Sequence, residues 1–259
     1  LKPALSDQGK TVMRKRNLSK VSGSNDALFG GACLVAIIAL GLCSTPAKAE
    51  EKAGPDFAFN AAVASDYVFR GVSQTEGDPA VSAGVDVTQG AFYAGAWVGN
   101  VAFAGDADTE AEIDLYAGVR PEFGGFNWDF GLVSYFYAGQ PDGADYDYVE
   151  LKAATSRAVG PATLGAAVYY SPDFFGASED EATYAEINGA ISPADKWTIS
   201  AAVGRQWVSS DFDYITWNLG AAWQMTDHLA LDVRYFDTDE HDFGSSYDSR
   251  LVASLKAVF

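Results

Sequence analysis

Most residues whose types suit proton transfer or metal binding sit where such chemistry is poorly served. Residues 50–259 contain two histidines, His228 in a predicted turn and His241 in an acidic loop beside Asp237, Asp239 and Asp242. A Ser-His-Asp arrangement therefore has few places to be built, and the His241 cluster reads first as a solvated loop rather than a protease or metal site. Asp106-Ala107-Asp108 starts like a calcium loop but lacks the rest of that spacing, and no glycine-rich phosphate loop is present. No catalytic residue, metal ligand or cofactor site is expected, so the chain does not read as an enzyme.

Charges at alternating positions are more informative. Asp66, Arg70, Asp86, Glu112, Asp114, Arg120, Asp129, Glu150, Lys152, Glu186, Asp232, Arg234, Arg250 and Lys256 recur on one side of segments whose other side is apolar. In Glu112–Arg120 one face carries Glu112, Asp114, Tyr116 and Arg120, and the other Ile113, Leu115, Ala117 and Val119. Phe126, Trp128, Phe130, Leu132 and Phe136 likewise oppose Asn127, Asp129 and Tyr135. The last segment sets Leu251, Ala253, Leu255, Ala257 and Phe259 against Arg250, Ser254 and Lys256, and ends on the aromatic. Such charges either define a constricted aqueous path or pair off and fill the space between strands.

About twelve strands follow from this pattern, with ten as the alternative: 57–70, 80–88, 91–101, 111–120, 126–137, 146–158, 162–171, 182–191, 196–207, 214–223, 229–236 and 249–259. Short turns (Gln89-Gly90, Pro121 to Gly125, Gly160-Pro161, Ser192 to Asp195, Gln224 to His228) alternate with connections that are mostly longer and acidic. That alternation predicts an all-β, up-and-down antiparallel transmembrane barrel with tight periplasmic turns, longer outer loops and both termini periplasmic. Aromatics mark two predicted girdles. Tyr67, Phe69, Phe136, Tyr169, Tyr184, Trp207, Tyr214 and Tyr235 lie near the loops; Phe57, Phe92, Phe126, Trp128, Trp197, Trp223 and Phe259 lie near the turns. The competing architecture is a secreted β-sandwich, which shows the same alternation with its apolar face turned inward.

The N-terminal region reads as a secretory signal peptide over 1–49. Arg14, Lys15, Arg16 and Lys20 precede the apolar run Ala32 to Leu42, and Ala47-Lys48-Ala49 is the expected cleavage site; Met13 is a plausible true start. The run is too short for a membrane-spanning helix. Both cysteines, Cys33 and Cys43, fall in this leader, so 50–259 has no thiol chemistry. That single barrel domain keeps 10 of the 17 Lys and Arg but 33 of the 35 Asp and Glu, a formal charge of −23 that argues against nucleic-acid binding. The expected partners are outer-membrane lipids, lipopolysaccharide and the barrel-assembly machinery, with the oligomeric state left open.

Ser65-Asp66-Tyr67-Val68-Phe69-Arg70-Gly71-Val72-Ser73-Gln74-Thr75, followed by Pro79-Ala80, resembles the opening motif of the TorF porin family of proteobacteria. Similar motifs follow at Phe92–Trp97 with Asn100-Val101, Glu112–Gly118, Tyr169–Phe174 and Arg234-Tyr235 with Asp237-Thr238-Asp239; Gly99 departs from the pattern, where serine is expected. The resemblance implies an outer-membrane porin assigned by architecture and carries no substrate or catalytic residue. The expectation is a porin-like channel for passive diffusion of small hydrophilic solutes or ions. Its rival is a non-conducting barrel with a structural or adhesive surface role.

Overall fold

Alternating apolar and polar residues can bury one face of a strand only by closing the sheet on itself or stacking it on another. This chain closes. The structure, a computed structural model, describes residues 54–176, 180–208 and 212–259; the predicted leader lies outside them. Twelve strands form an antiparallel meander: β1 (Asp56–Ala64), β2 (Ala80–Gln89), β3 (Phe92–Asn100), β4 (Ala111–Val119), β5 (Phe126–Ala138), β6 (Tyr148–Val159), β7 (Ala162–Ser171), β8 (Ala182–Ala194), β9 (Trp197–Trp207), β10 (Tyr214–Gln224), β11 (Leu229–Thr238) and β12 (Arg250–Val258). Each pairs with its neighbours, and β1 pairs with β12 from Asn60↔Val258 to Ala64↔Ser254 to seal the ring. Phe259 extends this seam through two backbone hydrogen bonds with Phe59, and His228 stacks near its ring.

The barrel is apolar outside and polar within. On β4, Leu115 is 49 % exposed while its neighbour Asp114 is fully buried. Ile113, Leu132, Leu164, Ile187, Leu219 and Leu251 are exposed in the same way. A sandwich would bury these side chains, so the inverted pattern overturns that alternative and matches a barrel whose solvent is lipid. Phe57, Phe92, Phe126, Trp197, Trp223 and Phe259 form an outward aromatic belt at the turn end. Two arginines interrupt the outer face near its rims, and each packs over an aromatic ring: Arg157 over Phe126 and Arg205 over Trp207.

Three expectations need correction. The strand over 57–70 ends at Ala64, because the chain turns inward at Ser65; Arg70 and Gly71 take positive φ values of 48° and 87°, which a strand cannot contain. β8 runs through a bulge to Ala194, so the turn is Asp195-Lys196 rather than Ser192 to Asp195. In the loop-end girdle, Phe136 and Trp207 face outward, but Tyr67, Tyr184 and Tyr214 are buried inside. Phe69 and Tyr169 join them, both packed on the guanidinium of Arg70.

Leu115 lies at the middle of β4 on the outer face, so Leu115→Arg places a charge where the barrel meets the centre of the bilayer. The expected loss is about 2–4 kcal/mol of folding stability. Urea unfolding in phospholipid vesicles measures it, with Leu115→Ala as the control for lost side-chain volume.

Candidate functional site

The inward segment 65–79 carries a polar network that ties it to the barrel wall. It leaves β1, makes a short hairpin from Val68–Phe69 to Val72–Ser73, and returns to β2. Its own turn is held together by Asp66, whose Oδ1 accepts hydrogen bonds from the Ser73 and Thr75 hydroxyls at 2.7 and 2.9 Å. Gly71 is required at the tip: besides its positive φ, a Cβ there would collide with Thr216 on β10 and Thr238 on β11. The hairpin therefore crosses the barrel interior instead of extending outward as a loop.

Arg70 makes the far contact. Its guanidinium donates to both carboxylate oxygens of Glu150 on β6, at 2.8 and 2.7 Å, and to Gln206 Oε1 on β9 at 3.0 Å. The rings of Phe69, Tyr169 and Tyr184 lie 4.4–4.9 Å from its central carbon. These walls stand opposite β1 in the ring, so Arg70 is a crossbar. Two further anchors hold it at the near side. Tyr67 donates to Glu112 on β4 at 2.7 Å, and Arg250 on β12 donates to Asp66 at 2.7 Å while also bonding the carbonyls of Ser245 and Ser246.

The other charged positions form smaller groups on the inner face. Asp129 lies 3.1 Å from Arg120 Nε and 2.9 Å from Lys152 Nζ, and accepts from the Tyr93 hydroxyl. Asp232 pairs with Arg234, whose guanidinium also reaches Asn218 and Ser200. Glu186 accepts from Tyr184 and Asn188, and Asp86 from Asn60 and Tyr116. Lys256 is half-buried on β12. Asp66 and Arg70 thus act from the crossing hairpin and not from a strand, while Asp114 stands apart, with neither oxygen hydrogen-bonded.

Partners that sequence reasoning missed are mostly tyrosines. Tyr135 donates to Glu150 and Tyr137 to Glu112, and Tyr148 stacks on Tyr135 with 4.2 Å between ring centroids. Strand parity carried the signal: Tyr148 is two residues from Glu150 and Tyr184 two from Glu186, so each pair shares a face. At the end of the barrel that carries the longer loops, Phe103, Tyr137, Tyr146 and Phe175 pack together from neighbouring loops and strands.

The two histidines are separate. His228 Nδ1 lies 3.0 Å from the Val258 carbonyl at the turn end. His241 Nε2 lies 2.9 Å from Asp237 Oδ1 in the last loop, and this hydrogen bond raises its pKa above the ordinary 6.5. Asp239 is engaged elsewhere, accepting from the Ile215 amide. In the loop after β3, hydrogen bonds from the Thr109 hydroxyl and the Asp108 amide lower the pKa of Asp106. Among the described residues no group of three or more His, Cys, Asp or Glu side chains converges as a metal site.

A family model described as "Bacterial protein of unknown function (Gcw_chp)" matches residues 48–259. No curated protein matches the chain. Among solved structures, the barrel is similar to one described as "KdgM porin", with a TM-score of 0.53 and 9% identity over 78% of this chain and 99% of that one. It is also similar to "NanC porin structure in rhombohedral crystal form", with a TM-score of 0.50 and 10% identity over 78% and 98%. At such identities the likeness is one of fold.

Two predictions follow from the contacts. Arg70→Met leaves Glu150 buried without its cation and is expected to cost about 3–5 kcal/mol, whereas the double variant Arg70→Met/Glu150→Leu recovers part of that loss; urea unfolding of the refolded barrel measures both. His241 is expected to titrate above 6.5 by NMR, and Asp237→Asn to return it towards 6.5. Because the folded pKa is the raised one, the bond's support of the loop is complete below 6.5 and fades as pH climbs through the raised value.

Proposed function

We propose that this chain, which belongs to the Gcw_chp family of bacterial proteins, is a porin-like channel of the outer membrane that passes small hydrophilic solutes or ions by diffusion, without covalent chemistry. The observation that carries the reading is the inverted distribution of residues: a closed barrel with lipid-compatible leucines, valines and aromatics outside and paired charges inside. The fold shared with the two porins supports it, as does the resemblance of the 65–75 segment to the opening motif of TorF porins. In this reading the fourteen predicted charged positions line the path, eight of them acids and six bases. The Arg70 crossbar narrows it, and passage is limited by width and by local charge.

The same reading puts both termini in the periplasm, with the acid-rich loops outside, where lipopolysaccharide is the neighbour. Assembly of such a barrel requires the barrel-assembly machinery. A second reading, a non-conducting barrel with a structural role at the surface, is favoured by the crossbar itself and by the aromatic packing at the mouth.

Reversal potentials in planar bilayers separate the two. Across a KCl gradient the barrel is expected to be mildly cation-preferring at low salt, because acids outnumber bases inside and dominate the loops. The loop contribution is expected to fade at 1 M, where the Debye length is about 3 Å. Anion preference at low salt contradicts the charge argument, and absence of current favours the sealed barrel.

A further inference from the structure

The two arginines of the lipid-facing surface differ in what balances them. Arg205, near the loop end of β9, lies 3.4 Å from Asp213. Arg157, near the turn end of β6, is exposed and packs over the ring of Phe126, and among the described residues no carboxylate pairs with it. Glu122, the acid of the adjoining turn, stands opposite the inward Asn127 and so belongs to the other face. A guanidinium cannot shed its charge, so the Arg157 fork needs acceptors from outside the chain. At the edge of a bilayer, where a cation on the lipid face costs little, headgroup phosphates are such acceptors.

The wall beside Arg157 is shaped to receive more than a headgroup. On β5, Phe126, Trp128 and Phe130 project outward, and Trp128 stacks on both Phe123 and Phe130 with ring centroids 5.1 and 5.9 Å away. Its indole donates to the Phe123 carbonyl, which fixes this ridge of rings. Opposite Trp128 and Phe130, β6 presents only Thr155 and Ala153, and Ala166 follows Thr155 on β7. The Thr155 hydroxyl is satisfied within the wall, donating to the Asn127 carbonyl at 3.1 Å. These small side chains form the floor of a shallow trough beside the ridge. Ile187 on β8, 64 % exposed and opposite Ala166, is its far bank, and the facing pair Leu132 and Leu151 closes its loop-side end. Arg157 stands at the turn-side end, four residues or about 13 Å from Ala153 along the strand. An apolar floor with a cation at its interfacial end matches an amphiphile with an anionic head.

We propose that this trough seats an acyl chain of a single phosphatidylglycerol molecule whose phosphodiester is held by Arg157. The planar guanidinium offers two parallel N–H groups to two phosphate oxygens. In phosphatidylethanolamine the lipid's own ammonium competes for those oxygens, whereas phosphatidylglycerol leaves them free. Lipid A also carries phosphate, but with the termini in the periplasm the turn end lies in the leaflet opposite to it. The site rests on the reading of this barrel as an outer-membrane protein and takes nothing from conduction.

Native mass spectrometry of the refolded barrel, released from nanodiscs of equal phosphatidylglycerol and phosphatidylethanolamine, tests the site. The wild type is expected to retain one phosphatidylglycerol, and Arg157→Gln to lose it several-fold. Ala166→Trp, which fills the trough and keeps the cation, is expected to lose it too, while Arg205→Gln keeps it. Heat-modifiable migration on gels checks that each variant folds, and Arg157→Gln alone decides the matter if Ala166→Trp does not. A wild type that inserts but retains no lipid overturns the site and leaves the membrane reading standing; a chain that does not insert overturns both. Retention unchanged in Arg157→Gln, or equal retention of the two phospholipids, overturns the proposal. So does displacement of phosphatidylglycerol by lipid A added in equal amount, which assigns the phosphate to the other leaflet.

Discussion

Backbone pairing is the constraint on which everything else rests. A strand whose outer side is leucine, valine and phenylalanine cannot leave its amides and carbonyls open to lipid, because each unsatisfied group costs several kcal/mol there. The only escape for a sheet is closure, and the β1–β12 seam provides it, continued by the hydrogen bonds between Phe59 and Phe259. Closure then dictates side-chain placement. With a period of two, every residue between two outward apolar neighbours points into an enclosed space, and most of the strand charges are gathered there.

An interior built this way has a problem opposite to that of a water-soluble protein, whose core is apolar. Its core is made of carboxylates, guanidinium groups and phenols, and stability depends on matching them. The match is good for Asp129, Asp232 and Glu150, each within reach of Arg or Lys. Tyrosine does the rest, offering a large ring to fill space and a hydroxyl to satisfy a carboxylate. The crossing hairpin combines both devices, since Tyr67 and Arg70 lie three residues apart and fasten to different walls, β4 and β6. A segment that would otherwise be an exposed loop thus becomes part of the core, and it narrows the barrel where it crosses.

The strands were legible because period-two patterning is local: the faces read from Glu112–Arg120 and from the terminal segment match the observed burial. The number of strands and the alternation of short and long connections were legible for the same reason. The inward turn of 65–79 was not. It is decided by contacts with residues 80 and 136 positions away, Glu150 and Gln206, which no local pattern reveals. The Arg70-Gly71 pair was the only local hint of a break. Tyr184 and Tyr214 were assigned to a lipid girdle on residue type, where parity with Glu186 and Thr216 places them inside. The bulge before Ala194 was hidden by Ser192-Pro193, which reads as a turn but serves as an irregular strand end.

We propose for this barrel a membrane channel narrowed by its own crossing hairpin, which the Arg70–Glu150 pair fastens to the far wall. Single-channel conductance in planar bilayers addresses it directly, comparing the wild type with the double variant Arg70→Ala/Glu150→Ala, in which the crossbar is cut without stranding a buried charge. A small conductance is expected for the wild type and a several-fold larger one for the variant. A wild-type conductance already large and unchanged by the substitutions, or silence from both proteins, contradicts it.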